Sequence, residues 1–129
     1  MTILTLRSDK PMAELGIYED HKQLAYLKWQ AHLELSITIN KKLAELLNKL
    51  SISQNDMDGI VCFSGPGSFT GLRIGLSVAN ALAYAQNLPI VAKSGKGWLK
   101  AGIRDLQKGK NDIVALPEYG RPAFTTLPK

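Results

Sequence analysis

The chain opens with three segments in which apolar and polar residues alternate, the spacing typical of strands with one buried face. These segments cover residues 2–6, 12–19 and 24–30, and short polar turns connect them. From Leu35 to about Ser51 the apolar residues recur every three or four positions instead, as on one face of an amphipathic helix. The first fifty residues therefore predict an antiparallel meander followed by a long helix.

Two short apolar runs follow, at residues 60–63 and 89–92, and they flank a helical pattern over residues 72–86. Three strands, a helix, a strand, a helix and a strand make an α/β pattern with a mixed sheet. The same order occurs in one ribonuclease H-like half of the superfamily of sugar kinases, chaperone ATPases and actin. After Ser94 we expect a short helix over 98–107, a strand over 113–116 and a proline-rich tail.

Composition narrows the class of protein. A chain of 129 residues with 45% hydrophobic residues supports one folded domain. No apolar run is long enough to span a bilayer, no secretion signal is recognisable, and the single Cys62 excludes an internal disulfide. We expect a cytoplasmic protein without membrane contact. Its net charge of +5 favours polyanions in general but does not name one.

A glycine-rich stretch stands between the apolar run at residues 60–63 and the second helix, where α/β proteins place ligand loops. Glycines and a helix N-terminus suit an anion, to which Arg73 would add a charge, and Ser68 or Thr70 could cap the helix. The phosphate-loop and dinucleotide patterns both fail, because Leu72 and Arg73 follow Gly71 and the glycine spacing is wrong. A tight strand-to-helix turn explains the glycines equally well. The candidate loop comprises Gly65, Pro66, Gly67, Ser68, Phe69, Thr70, Gly71, Leu72 and Arg73.

This loop, followed by Ile74 and Gly75, resembles the hallmark of the TsaB (YeaZ) family, and the resemblance extends over residues 1–95. It implies a noncatalytic paralogue and partner of the threonylcarbamoyl transferase TsaD, joined by the ATPase TsaE. The complex makes N6-threonylcarbamoyladenosine at position 37 of tRNAs that read ANN codons. The resemblance also implies that the isolated chain holds no cofactor and that ATP or ADP binds only in the assembled complex. It leaves open whether the chain also forms a homodimer.

The chain departs from the family pattern in two places. Family members usually end the first strand with Asp-Thr-Ser, whereas this chain has Arg7, Ser8 and Asp9, a cation where an acid is expected. Members are also about twice as long. We therefore expect residues 96–129 to form a short helix, a strand and a tail in place of a second domain.

The sequence leaves two other classes of function open. A small nucleotide-dependent enzyme or a glycoprotease-like peptidase would need a metal set that the sequence does not show, and Cys62, inside an apolar strand, is expected to be core. His21 is expected in a surface turn, and His32 in a surface or capping position before the first helix. A direct tRNA-binding module is the second alternative, favoured by the positive charge.

The sequence predicts two functional surfaces, and the first lies on the second helix. Small residues recur every fourth position on the second helix at Gly71, Gly75, Ala79 and Ala83. This ridge faces either the chain's own core or another helix. Because the family pairs through its first two helices, the resemblance favours a partner interface, completed by Leu43 and Leu47.

The second predicted surface is a row of cations at intervals of four. Its members are Lys96, Lys100, Arg104 and Lys108. On a helix over residues 97–108 they would lie along one side, either as a solvated face or toward the backbone of tRNA.

Overall fold

The computed structural model describes residues 1–31, 34–67 and 69–118. Within these ranges the chain forms five strands, three α-helices and a 3-10 turn at Gln54–Asp56. The strands and helices are β1 (Thr2–Arg7), β2 (Met12–Glu19), β3 (Lys22–Gln30), α1 (Leu35–Leu50), β4 (Gly59–Phe63), α2 (Phe69–Gln86), β5 (Ile90–Lys93) and α3 (Trp98–Gln107).

The strands form one mixed sheet in the order β3-β2-β1-β4-β5. The β1–β2 and β2–β3 pairs are antiparallel, whereas β4 pairs in parallel with both β1 and β5. The predicted meander and the α/β class with a mixed sheet are confirmed. The order is that of a ribonuclease H-like half, in which the parallel strands end at one edge.

Helices cover both faces of the sheet. Leu6 of β1 points toward Gly75 of α2, whereas Val61 of β4 points toward Gly102 of α3. Since Leu6 pairs with Cys62, the neighbour of Val61, and side chains alternate along a strand, these contacts lie on opposite faces. Helix α1 packs against α2, so α1 and α2 share one face and α3 lies on the other.

Two boundaries differ from the sequence-based prediction. Helix α2 begins at Phe69, three residues before the predicted start, and so takes in the second half of the glycine-rich stretch. The segment 113–116 is not a strand, and this prediction was wrong. Ile113 has a φ of +70°, which is incompatible with an extended chain.

The segment 111–118, here called the edge strap, lies beside β5 and bonds to it largely through side chains. Asn111 accepts the N–H of Ile90 at 3.0 Å, and Asp112 accepts that of Ala92 at 2.9 Å. The Asn80 side chain of α2 accepts a hydrogen bond from the N–H of Ala115 at 2.7 Å and donates one to the carbonyl of Ala115 at 2.9 Å. These side chains satisfy the exposed edge of β5 without a regular ladder.

The predicted partner ridge lies inside the molecule. Gly75, Ala79 and Ala83 are buried, and so are Leu43 and Leu47 of α1. Gly71 is half-buried, and its carbonyl accepts the Ser8 hydroxyl at 2.8 Å. The ridge therefore faces the chain's own sheet, and the prediction of a partner interface on these residues was wrong.

Among the described residues, no helix has both the length and the apolar character needed to cross a membrane.

The closest approach of α2 to the sheet is at Gly75, where an added Cβ would overlap the Ser8 hydroxyl. We predict that Gly75→Ala lowers the free energy of unfolding by about 1–3 kcal/mol, because overpacking and the lost Ser8 bond outweigh a helix-propensity gain of about 1 kcal/mol. Urea unfolding measures this difference.

Gly97→Ala is the matched control, since a Cβ there meets nothing within 4 Å, and its stability should change by less than about 0.5 kcal/mol. Ser8→Gly should restore part of the loss when combined with Gly75→Ala. Equal stability of Gly75→Ala and wild type would show that the contact is not close.

Candidate functional site

The signature loop (residues 65–73) joins β4 to α2 at the edge where the parallel strands β1, β4 and β5 end, the usual ligand position in open α/β sheets. Gly65 has a φ of +115°, a conformation that residues with a side chain rarely adopt. Pro66, Gly67, Thr70 and Arg73 are exposed, whereas Leu72 is buried. Ser68, predicted as a cap, lies outside the described residues.

An ion pair at the end of β1 lies beside this loop. The Arg7 guanidinium donates to both carboxylate oxygens of Asp9, with N–O distances of 2.7 and 3.2 Å. It also stacks on the ring of Phe63, 3.9 Å from the centroid. Only 3% of the Asp9 side chain is exposed. An acid is therefore present two residues after the position where the family pattern places one, and Arg7 neutralises it.

Asp9 and Glu118 pack against two glycines of the loop. An added Cβ on Gly67 would overlap Asp9, and one on Gly65 would overlap the carbonyl oxygen of Glu118 in the edge strap. The N–H of Glu118 donates to the carbonyl of Ser64 at 2.6 Å. The Glu118 carboxylate accepts the Ser94 hydroxyl at 3.3 Å. The loop thus packs between the end of β1 and the edge strap.

This arrangement does not suit a free phosphate. Asp9 brings a carboxylate to the loop, Arg7 is already bonded to it, and the backbone carbonyl oxygen of Glu118 faces Gly65. Close backbone packing explains Gly65 and Gly67 directly. The two glycines thus serve the close packing of the β4–α2 loop against Asp9 and the edge strap.

Sequence reasoning missed Asp9, Glu118 and Asn80 as parts of this site. A signal existed for Asp9, because an acid directly after a strand at the carboxyl edge is a usual ligand position. The strap residues gave none, because Glu118 lies 109 positions after Asp9 and only the fold brings them to one loop.

The remaining candidates are placed as follows. Cys62 is fully buried in β4, and burial raises the pKa of its thiol, as expected of a core residue. His21 is exposed in the β2–β3 turn, and His32 lies outside the described residues. Among the described residues, no three His, Cys, Asp or Glu side chains lie close enough together to hold a metal ion.

The predicted row of cations is exposed in its entirety. Lys100 and Arg104 lie on α3, as predicted, and Lys108 follows directly as its C-cap. Lys96 lies in the turn that precedes α3 and not on the helix.

Fold and site together define a ribonuclease H-like α/β domain with a glycine-rich loop at its carboxyl edge. The family model for TsaD, tRNA N6-adenosine threonylcarbamoyltransferase, matches residues 30–95, about half of the chain. Taken with the relatives described next, this match shows that the chain belongs to the TsaB (YeaZ) family, as its loop predicts.

The TsaB protein of Bacillus subtilis is 35% identical over 104 residues, which are 81% of this chain and 45% of that protein. A tRNA N6-adenosine threonylcarbamoyltransferase of Clostridioides difficile is 36% identical over 90 residues, 60% of this chain and 27% of that enzyme. The structure of YeaZ from Pseudomonas aeruginosa superposes with a TM-score of 0.63 at 26% identity, covering 73% of this chain and 45% of that one. The chain thus spans less than half the length of these relatives.

The Arg7–Asp9 pair provides a test of the site. We predict that Asp9→Asn lowers the free energy of unfolding by about 1.5–3 kcal/mol, because Arg7 loses a charged partner at a largely buried position. Thermal or urea unfolding measures it.

Glu45→Gln removes the carboxylate of the exposed Lys42–Glu45 pair and should cost less than about 1 kcal/mol. If the two variants lost equal stability, the Arg7–Asp9 pair would have no special structural weight.

Proposed function

We propose that this chain is a noncatalytic partner of a TsaD-type threonylcarbamoyl transferase. The complex would form N6-threonylcarbamoyladenosine at position 37 of tRNAs that read ANN codons, in the cytoplasm and together with the ATPase TsaE. The similarity to TsaB and to a threonylcarbamoyl transferase supports the pathway. The state of the carboxyl edge, where Arg7 neutralises Asp9, supports a partner role over catalysis.

A phosphotransferase needs groups at that edge that hold a metal and a phosphate. Here the acid after β1 is buried and bonded to Arg7, and Glu118 covers Gly65. We therefore propose that the isolated chain holds no nucleotide tightly and that ATP or ADP binds only in the assembled complex.

The partner surface, in this proposal, is the outer face of α2. A second series of small residues, Ser77, Ala81 and Ala85, lies on the exposed side of the helix, opposite the buried ridge. Ile74, Val78 and Leu82 form a half-buried apolar shoulder beside it. Tyr84 is 91% exposed, and Ile37 of the neighbouring α1 is 68% exposed. Small residues flanked by apolar side chains allow the close approach of another helix. The same face would pair two copies of this chain when the transferase is absent.

The first test concerns activity. The purified chain alone should neither modify tRNA nor hydrolyse ATP, whereas adding the transferase and ATPase of the same organism, with threonylcarbamoyl adenylate, should give modified tRNA. Equilibrium dialysis with ATP and Mg²⁺ should find binding only in the complex. Turnover by the chain alone that a substitution within it abolishes would contradict the proposal.

The second test concerns the interface. Ala81→Arg should weaken binding to the transferase by about tenfold or more, because a long charged side chain would stand where a helix must approach closely. Isothermal titration calorimetry measures the affinity, and size-exclusion chromatography reports whether self-association is lost as well.

Gly97→Arg is the matched control, since it adds the same side chain in open space just before α3, on the other face of the sheet. It should leave the affinity unchanged. If Ala81→Arg bound normally while its circular dichroism spectrum stayed native, the outer face of α2 would not be the interface.

A further inference from the structure

The positive charge of the chain is concentrated in one segment. The whole sequence carries a net charge of +5. Residues 93–110 hold six lysines and arginines but a single acid, Asp105, which is also a net of +5. The rest of the chain is therefore balanced, with ten cations and ten acids. The six cations are Lys93, Lys96, Lys100, Arg104, Lys108 and Lys110.

Asp105 does not neutralise this segment evenly. Its Oδ2 lies 2.5 Å from Lys93 Nζ and 3.5 Å from Lys110 Nζ. The hydrogen bond from Lys93 holds the pKa of Asp105 below its usual value, so the carboxylate stays ionised. No described carboxylate pairs with Lys96, Lys100, Arg104 or Lys108. We call these four exposed residues the α3 basic stripe.

Packing of α3 determines how the stripe is presented. Trp98, Ile103 and Leu106 are buried and attach α3 to the sheet over β4 and β5. Lys100 and Arg104 are four residues apart on the exposed side, about 6 Å along the helix axis. The stripe therefore has two cations on a helix that the sheet holds in place, a third in the turn before it and a fourth at its C-cap.

Helix electrostatics explain only half of the stripe. Arg104 and Lys108 lie at the C-terminal end of α3, where a cation interacts favourably with the helix dipole. Lys96 and Lys100 lie at the N-terminal end, where a cation is unfavourable, and the first turn holds no acid. Repulsion between like charges four residues apart adds a further small cost. An external anion would offset both.

The shape of the stripe narrows the class of anion. A small phosphate needs cations that converge on one point, whereas these follow a line. A membrane-surface helix needs an exposed apolar face, but the apolar side of α3 is buried against the sheet. A line of exposed cations suits a polymer with regularly spaced phosphates.

We propose that the α3 basic stripe binds the phosphate backbone of a structured RNA, and that this RNA is tRNA. The choice of tRNA rests on the proposed function, whereas the polyanion chemistry does not. Contacts of this kind position an RNA without reading its sequence. The stripe and the outer face of α2 lie on opposite faces of the sheet, so the chain could hold RNA and a protein partner at once.

The test measures binding of the full chain to an unmodified tRNA transcript by fluorescence anisotropy, between about 50 and about 200 mM salt. The double variant Lys100→Glu, Arg104→Glu should weaken binding at least tenfold at the lowest salt. It should also reduce the slope of log affinity against log salt by about 2, about 1 for each lost phosphate contact. The control Lys41→Glu, Lys49→Glu changes two exposed α1 lysines and the net charge by the same amount. It should bind within threefold of wild type.

Two RNA-binding results would overturn the proposal. One is an unchanged slope in the stripe variant, and the other is an equal loss in the control, which would indicate a response to net charge alone. Binding to equimolar phosphatidylcholine–phosphatidylserine vesicles, lost in the stripe variant without any tRNA binding by wild type, would assign the stripe to membranes instead. If charge reversal altered the circular dichroism spectrum, Lys100→Gln with Arg104→Gln would replace it, with a predicted slope reduction of about 2.

A parallel titration with the transferase separates this inference from the proposed function. The stripe variant should bind the transferase with wild-type affinity. Failure of the RNA arm with intact transferase binding rejects the stripe alone, whereas failure of wild type to bind the transferase rejects the proposed function.

Discussion

Helix α2 can lie where it does only because Gly75 has no side chain. That close approach sets the Ser8 hydroxyl within 2.8 Å of the Gly71 carbonyl and so ties the end of β1 to the start of α2. One residue further, Asp9 fills the space that a side chain on Gly67 would need. The signature loop is thus held between β1 and α2, and the Arg7–Asp9 pair, the loop and the helix form one unit.

Periodicity predicted most of the fold. The helical spacing in α1 and α3 identified those elements almost to the residue, because each has one buried and one exposed side. The alternation in the sequence also identified β2, although both faces of this strand are buried from Leu15 to Tyr18. The same reasoning failed for the ridge on α2. Gly75, Ala79 and Ala83 form one small-residue series, and Ser77, Ala81 and Ala85 form another, so size alone does not show which series faces the sheet. The close contact of Gly75 with the end of β1 shows that the first series is the buried one.

The candidate site was less accessible to sequence reasoning, because its key contacts are tertiary. The loop was located correctly, but the edge strap that covers it depends on side-chain bonds from Asn80 and Asn111 to backbone groups. The apolar run at residues 113–116 favoured a strand in the sequence. In the structure Ile113 has a positive φ instead, and side-chain hydrogen bonds of Asn80 and Asp112 hold this segment in place of a regular strand pairing.

The central claim is that the chain works by binding a transferase through the outer face of α2. Hydrogen–deuterium exchange of the chain with and without the transferase tests it most directly, because it maps the contact without substitutions. The account predicts added protection within residues 73–86 and in the neighbouring α1, with no change in α3. Protection confined to α3, or the absence of any change under saturating transferase, would contradict it.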